Sequence, residues 1–331
     1  MYRVSLPLIR PSLVAGLFLV TLYVVSDFRA VSLLRFQTFT YAIYQQMTGR
    51  YDYGAASILS LLLVFFAFIF LIAERWFRQQ SRFFQTDGHI RTKALISCSF
   101  LQTLVITIFI LLIFSAAFGI PVLLLIQWTW TAWVNDEMGS GFLQYIWNST
   151  MLSGVAATLA IVIGTPLAYL ACRFPTKLNL FVLQGAYTGY VLPGPVAALA
   201  LLTLFTQHVP FLYGTALVLI LAYLVHFLPA GLQAMESAIQ QVNPNIEEAA
   251  KSLGLHALRS FRQVTFPLVR GGFMVAWILM FLQAMKELPA TLLLRPVGFD
   301  TLSVRIWLEA SEELYQLAAP PALLIILITI K

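Results

Sequence analysis

The sequence predicts an all-α, polytopic membrane protein with about eight transmembrane helices, and three observations carry that prediction. Of the 331 residues, 60% are hydrophobic and only 10% are charged, with 26 Phe and a mean hydropathy of +0.85. This balance excludes an ordinary soluble domain and a disordered chain. The apolar runs are long against the roughly 20 residues that a helix needs to cross a hydrocarbon core of about 30 Å. The charged residues fall mainly in the connections between those runs.

In chain order the candidate spans are Ser12 to Val25, Ala55 to Ala73, Leu101 to Ile126, Thr150 to Ala171, Leu180 to Phe205, Gly214 to Met235, Phe273 to Met285 with a few flanking residues, and Ala318 to Ile330. The first follows Arg10 and Pro11 with no cleavage-like site, so it does not read as a secretory signal. The fourth carries small residues at Gly154, Ala156, Ala157 and Ala160, which suit close helix packing. The fifth contains Pro193, Gly194 and Pro195, which must kink or interrupt it; a packing kink and a break lining a pathway both fit. The last is short for a full crossing.

Orientation follows from Lys and Arg. With Met1 on the cytoplasmic side, the inner connections hold Arg3, Arg10, Arg75, Arg78, Arg82, Arg91, Lys93, Arg173, Lys177, Lys251, Arg259, Arg262, Arg270 and Lys331, which is 14 of 20. The connection Gln127 to Trp147 holds neither Lys nor Arg and is rich in Trp, as an outer interfacial belt would be. The formal charge of +6 is thus a positive-inside bias and gives no reason to expect nucleic acid as a partner. Cys98 and Cys172 both fall near cytoplasmic ends of spans, where a structural disulfide is not expected.

The chain repeats itself. "YRVSLPLIRPSLVAG" (Tyr2 to Gly16) aligns with "RQVTFPLVRGGFMVA" (Arg262 to Ala276) at an offset of 260, pairing Val4 with Val264, Pro7 with Pro267 and Arg10 with Arg270. The same offset sets Asp27 on Glu287. After a three-residue insertion, "FQTFTYAIY" (Phe36 to Tyr44) falls on "FDTLSVRIW" (Phe299 to Trp307). The Pro, Arg, acidic and loop matches are not matters of hydropathy. On this reading residues 1–91 hold the last two helices of a first half followed by a basic linker. Residues 92–331 hold six helices of a second half, with a cytoplasmic loop over 236–270. The expectation is a chain that starts inside its first half and lacks part of it, with loss at the other end too.

That loop is the most informative stretch. Its short first helix starts near Asn245, a suitable N-cap, and sets Glu247 and Glu248 at the positive end of the helix dipole. Ala249 and Ala250 let another surface approach, Gly254 permits a sharp turn, and Pro267 resets the chain for the next span. The spacing E-A-A, x3, G, x9, I-x-L-P is met by Glu248, Ala249, Ala250, Gly254, Val264 and Pro267, with Val for Ile and Phe266 for Leu. It resembles the loop that identifies membrane subunits of binding-protein-dependent ATP-binding-cassette importers. The resemblance implies the type I importer permease fold, docking of a dimeric ATPase subunit at Glu247, Glu248, Ala249, Ala250, Gly254, Val264 and Pro267, and cargo delivery by an extracytoplasmic solute-binding protein at the inner (plasma) membrane. The chain has no G-x-x-x-x-G-K-[ST] run to hold phosphates. It is therefore not expected to be an enzyme or to carry a cofactor, and ATP belongs to the partner.

"KELPATLLLRPVGFDTLSVRIW" (Lys286 to Trp307) looks like the corresponding run of ferric-iron permeases, whose single chain fuses two six-helix halves. Ferric iron is accordingly the expected cargo, with thiamine, polyamine and sulfate permeases sharing the loop. Asp27 and Glu287 either shape an acidic route for a cation or sit solvated at the outer interface, pairing with Arg29 and Lys286. His89, His208, His226 and His256 show no ligand spacing, so no metal site is assigned. An intramembrane lipid-modifying enzyme would need acids, His or Ser clustered at one interface, and these are scattered.

Overall fold

Uncharged apolar runs in lipid satisfy their backbone groups as helices, and helices joined by short connections make up the described part of a computed structural model, residues 16–17, 20–21, 23–79, 99–136, 139, 141–190 and 192–330. Most of the first expected span, the N-terminal copy of the Pro-x-x-Arg match, Cys98, His89 and most of the basic linker lie outside the described residues. The helices are α1 (Arg29–Leu33), α2 (Phe39–Thr48), α3 (Tyr53–Gln79), α4 (Phe100–Phe114), α5 (Ile120–Val134), α6 (Phe142–Arg173), α7 (Lys177–Tyr187), α8 (Gly194–His208) and α9 (Ala216–Gln240), followed by α10 (Pro244–Ser252), α11 (Ala257–Ser260), α12 (Phe266–Met285), α13 (Pro289–Leu294), α14 (Leu302–Ser311) and α15 (Tyr315–Thr329).

Among the described residues, five helices are long and apolar enough to cross a membrane: Tyr53–Phe70, Phe100–Val134, Phe142–Arg173, Ala216–Gln240 and Leu258–Met285. Eight were expected; the first lies mostly outside the described residues, and the other differences have physical causes. Pro193 and Pro195 lack N–H groups, and the fifth expected span is interrupted there into α7 and α8, of 11 and 15 residues. The last helix, α15, has 15 residues. Two expected loops are in turn absorbed into helix. A π turn at Ser115–Gly119 joins α4 to α5, so most of the Trp-rich stretch after Gln127 is helical. A second π turn at Phe261–Thr265 joins α11 to α12, carrying the membrane helix back into the polar loop.

The core is the mutual packing of α6, α9 and α12. Ala156, Ala157, Ala160, Ala168 and Ala171 of α6 are buried in it, and between apolar helices in lipid such small side chains let dispersion contacts accumulate. Close approaches occur at Gly164, where an added Cβ would meet the Met235 methyl, at Gly231 against Met280, and at Gly272 against Ala238. Gly154, expected in that role, has nothing within 4 Å of such a Cβ. By contrast none of the residues of α4 is buried.

The internal repeat reappears as hydrogen bonding. Asp27 accepts from the Ala30 N–H at 3.2 Å, and Glu287 accepts from the Ala290 N–H at 3.3 Å. Thr38 caps α2 through the Tyr41 N–H and Thr301 caps α14 through the Val304 N–H. The Thr40 hydroxyl donates to the Asp27 carbonyl at 2.8 Å, and the Ser303 hydroxyl donates to the Glu287 carbonyl at 2.7 Å. Equivalent residues also meet: Phe28 and Leu288 share one apolar cluster, and Tyr44 and Trp307 touch edge to face with ring centroids 5.5 Å apart.

Candidate functional site

The loop after α9 is built by local rules. Its helix α10 is capped by Asn243, whose side chain accepts from the Asn245 N–H at 3.0 Å. The cap is therefore two residues earlier than the expected Asn245, because Pro244, with no N–H to lose, occupies the first helical position. The helix ends in a Schellman arrangement, with Gly254 N–H on the Lys251 carbonyl and Leu255 N–H on the Ala250 carbonyl. That turn needs the left-handed backbone that Gly254 adopts, φ +90°. Pro267 does not reset the chain: it stands in the first turn of α12, where the preceding π turn keeps the helix continuous.

The two acids of α10 differ in exposure. Glu248 and Ala249 are exposed, as are Gly254 and Pro267, while Val264 is half-buried. Glu247 and Ala250 are buried, at 3% and 6% exposure. The Glu247 carboxylate accepts from the Arg173 Nε at 2.9 Å, from the Tyr169 hydroxyl at 2.9 Å and from the Thr265 hydroxyl at 3.0 Å. Arg173 also donates to the carbonyls of Ile239 and Val242, at 3.2 and 2.9 Å, where α9 ends. Around this pair, Phe261 packs on Tyr169 with centroids 4.9 Å apart, and the Lys251 ammonium lies 5.6 Å from the Phe174 ring centroid. Glu247, grouped with Glu248 for docking, thus turns away from the surface. The residues the sequence did not single out are Tyr169, Arg173 and Thr265; the available signal was a Tyr and an Arg at i, i+4 closing an apolar helix.

The second acidic site lies at the other end of α12, about 30 Å away at 1.5 Å per residue. Glu287 is 1% exposed and is paired with Arg29 at 2.9 Å, so the expected solvated placement does not hold for it. Its neighbours explain how a carboxylate is held there. The N-terminus of α8 lies beside it, since an added Cβ on Gly194 would come 3.3 Å from Glu287 Oε1 and 2.7 Å from Pro289, and a helix N-terminus favours negative charge. The interruption at Pro193–Pro195 thus brings Gly194 against Pro289 of α13 and this carboxylate. Tyr223 and Thr291 share a hydroxyl contact of 2.7 Å, and Thr291 donates to the Glu287 carbonyl at 2.9 Å. Arg29, not Lys286, is the ionic partner; burial first, and Arg29 second, push the Lys286 amine below the usual lysine range. Asp27 is half-buried.

A helical bundle with a capped two-part loop of this spacing defines a membrane component of a transport system. The chain belongs to the family of binding-protein-dependent transport system inner membrane components, which residues 160–330 match. It is similar to the Fe(3+)-transport system permease protein FbpB 2 of Haemophilus influenzae, with 32% identity over 329 residues covering 98% of this chain and 65% of that protein. It is 25% identical over 312 residues to the ferric transport system permease protein FbpB of Actinobacillus pleuropneumoniae, covering 88% of this chain and 45% of that one. The maltose/maltodextrin transport system permease protein MalG of Escherichia coli is 29% identical over 238 residues, 61% of this chain and 79% of its own. The chain thus spans less than two thirds of the length of either ferric relative.

Proposed function

We propose that this chain is the membrane-spanning permease part of an ATP-binding-cassette importer that moves ferric iron, delivered by a solute-binding protein, across the inner membrane. The observation that carries the cargo is the extent of similarity: a permease named for ferric iron matches 98% of the chain, whereas the maltose permease matches 61%. Thiamine, polyamine or sulfate would use the same machinery with a different binding protein.

On this reading the loop side is cytoplasmic, as is the N-terminus. The first half ends near residue 91 and the second follows, in a type I importer arrangement. The exposed face of α10, with Glu248 and Ala249, and the turn at Gly254 dock a dimeric ATPase subunit, which alone binds ATP. Its closure would shift the membrane helices between two states. Of the two carboxylates at the outer end, Asp27 is the one left open to the path and Glu287 the one neutralised by Arg29. The test is reconstitution in proteoliposomes with the cognate ATPase and binding protein. ATP-dependent uptake of radiolabelled ferric iron is expected; ATP-dependent uptake of thiamine, polyamine or sulfate in its place would refute the cargo, and hydrolytic or transferase activity on lipid would refute the class.

A further inference from the structure

Docking of an ATPase onto α10 moves cargo only if the displacement reaches the membrane helices, and α10 is only nine residues long. Its outward face is small and exposed: Glu248, Ala249 and Ser252, with Leu253 at 86% exposure just beyond. Its inward face carries a single charge, Glu247. Resting on the importer reading above, we propose that the Glu247–Arg173 pair is the junction that transmits motion of α10 to the membrane core, and that Glu247 takes no part in docking.

The connectivity supports this. Through Arg173 and Tyr169, Glu247 holds the end of α6. Through the two carbonyls that Arg173 also engages, it holds the end of α9. Through Thr265 it holds the π turn that continues into α12. These are the three helices that form the core. One buried carboxylate therefore ties the docking helix to all of them, with every contact between 2.9 and 3.2 Å. Both partners are nearly dry, with side chains 9% and 4% exposed. A buried ion pair is weak evidence of stabilisation, because apolar side chains of similar volume can serve as well. What it adds is direction: charge-assisted hydrogen bonds are short and geometrically demanding, so a rotation of α10 that keeps them must carry the three helix ends with it. Apolar packing at Ala250 alone would let the helix slide.

Docking and transmission then lie on different faces of one helix and separate by substitution. In the reconstituted complex, Glu247→Gln keeps the size of the side chain and removes its charge. The ATPase subunit should co-purify in wild-type amount and ATP hydrolysis should stay within twofold, while cargo moved per ATP falls at least tenfold. Glu248→Ala should do the reverse, weakening co-purification while the complexes that remain keep their cargo per ATP. Unchanged cargo per ATP in Glu247→Gln, or loss of the ATPase subunit from a normally folded variant, would overturn the proposal. Arg173→Lys provides a second variant that retains the charge and loses the bonds to α9; it should fold and show an intermediate ratio, and a wild-type ratio would count against the junction. A measurement independent of transport is hydrogen exchange of the chain alone in detergent. Glu247→Gln should speed amide exchange across residues 244–253 at least tenfold with the middle of α6 unaffected, and unchanged protection there would refute the junction even if the importer reading failed.

Discussion

Replacing Arg29 with Met isolates what a counter-ion contributes at Glu287. Glu287 has a side chain 2% exposed, and Arg29 one that is 39% exposed. Removing one member of a fully buried pair costs about 3–5 kcal/mol, because the other charge is stranded. Arg29 reaches water, so part of its attraction is already screened, and the N-terminus of α8 and the Ala290 N–H still serve the carboxylate. A loss of about 2 kcal/mol is therefore expected for Arg29→Met. Glu287→Gln should lose less, about 1 kcal/mol, since the stranded guanidinium can turn to solvent. The double variant removes the stranded charge, so its loss should fall short of the sum by at least about 1 kcal/mol. Tryptophan fluorescence melting in detergent reads this as midpoint shifts, of roughly 2–4 °C per kcal/mol for a chain of a few hundred residues. Strict additivity of the two single losses would show that the pair seen in the structure contributes no interaction.

Gly254→Val meets no neighbour within 4 Å, so its cost is backbone strain at φ +90°, about 1–2 kcal/mol; slower ATPase association without loss of membrane insertion should follow, and unaltered association would remove the turn from docking. Thr38→Ala and Thr301→Ala delete equivalent caps and should each lower stability by about 1 kcal/mol; melting curves that differ widely between the two would deny the equivalence. Gly189→Ala drives a Cβ into the Val225 carbonyl oxygen, a backbone atom that cannot swing aside, and should cost about 3 kcal/mol or prevent folding; wild-type yield on size exclusion would contradict the packing.

The class of fold was legible because hydropathy and length leave few choices in lipid, and the loop was legible because its Gly and Pro stand at fixed spacing. Helix ends were less so. Asn243 and Asn245 are equally good caps by type, and only Pro244 between them decides. The extent of the last long span was hidden because π turns tolerate Pro267 inside a continuous helix, which no propensity signals. The roles of Glu247 and Glu248 could not be told apart from adjacency: they stand 100° apart on a helix, and which one faces inward depends on Arg173, 74 positions earlier. For Glu287 the sequence supplied both candidate cations, Arg29 and Lys286, and only packing chooses between them.

The unbroken helix from Leu258 to Met285 joins the two acidic sites mechanically. Its 28 residues make a rod of about 42 Å at 1.5 Å per residue. Tilting a rod of that length by 10° about one end displaces the other by about 7 Å. Were Pro267 a hinge, that displacement would be absorbed within one turn. Because the π turn keeps the backbone continuous past it, the chain has a lever arm whose short side reaches the polar loop and whose long side ends two residues before Glu287.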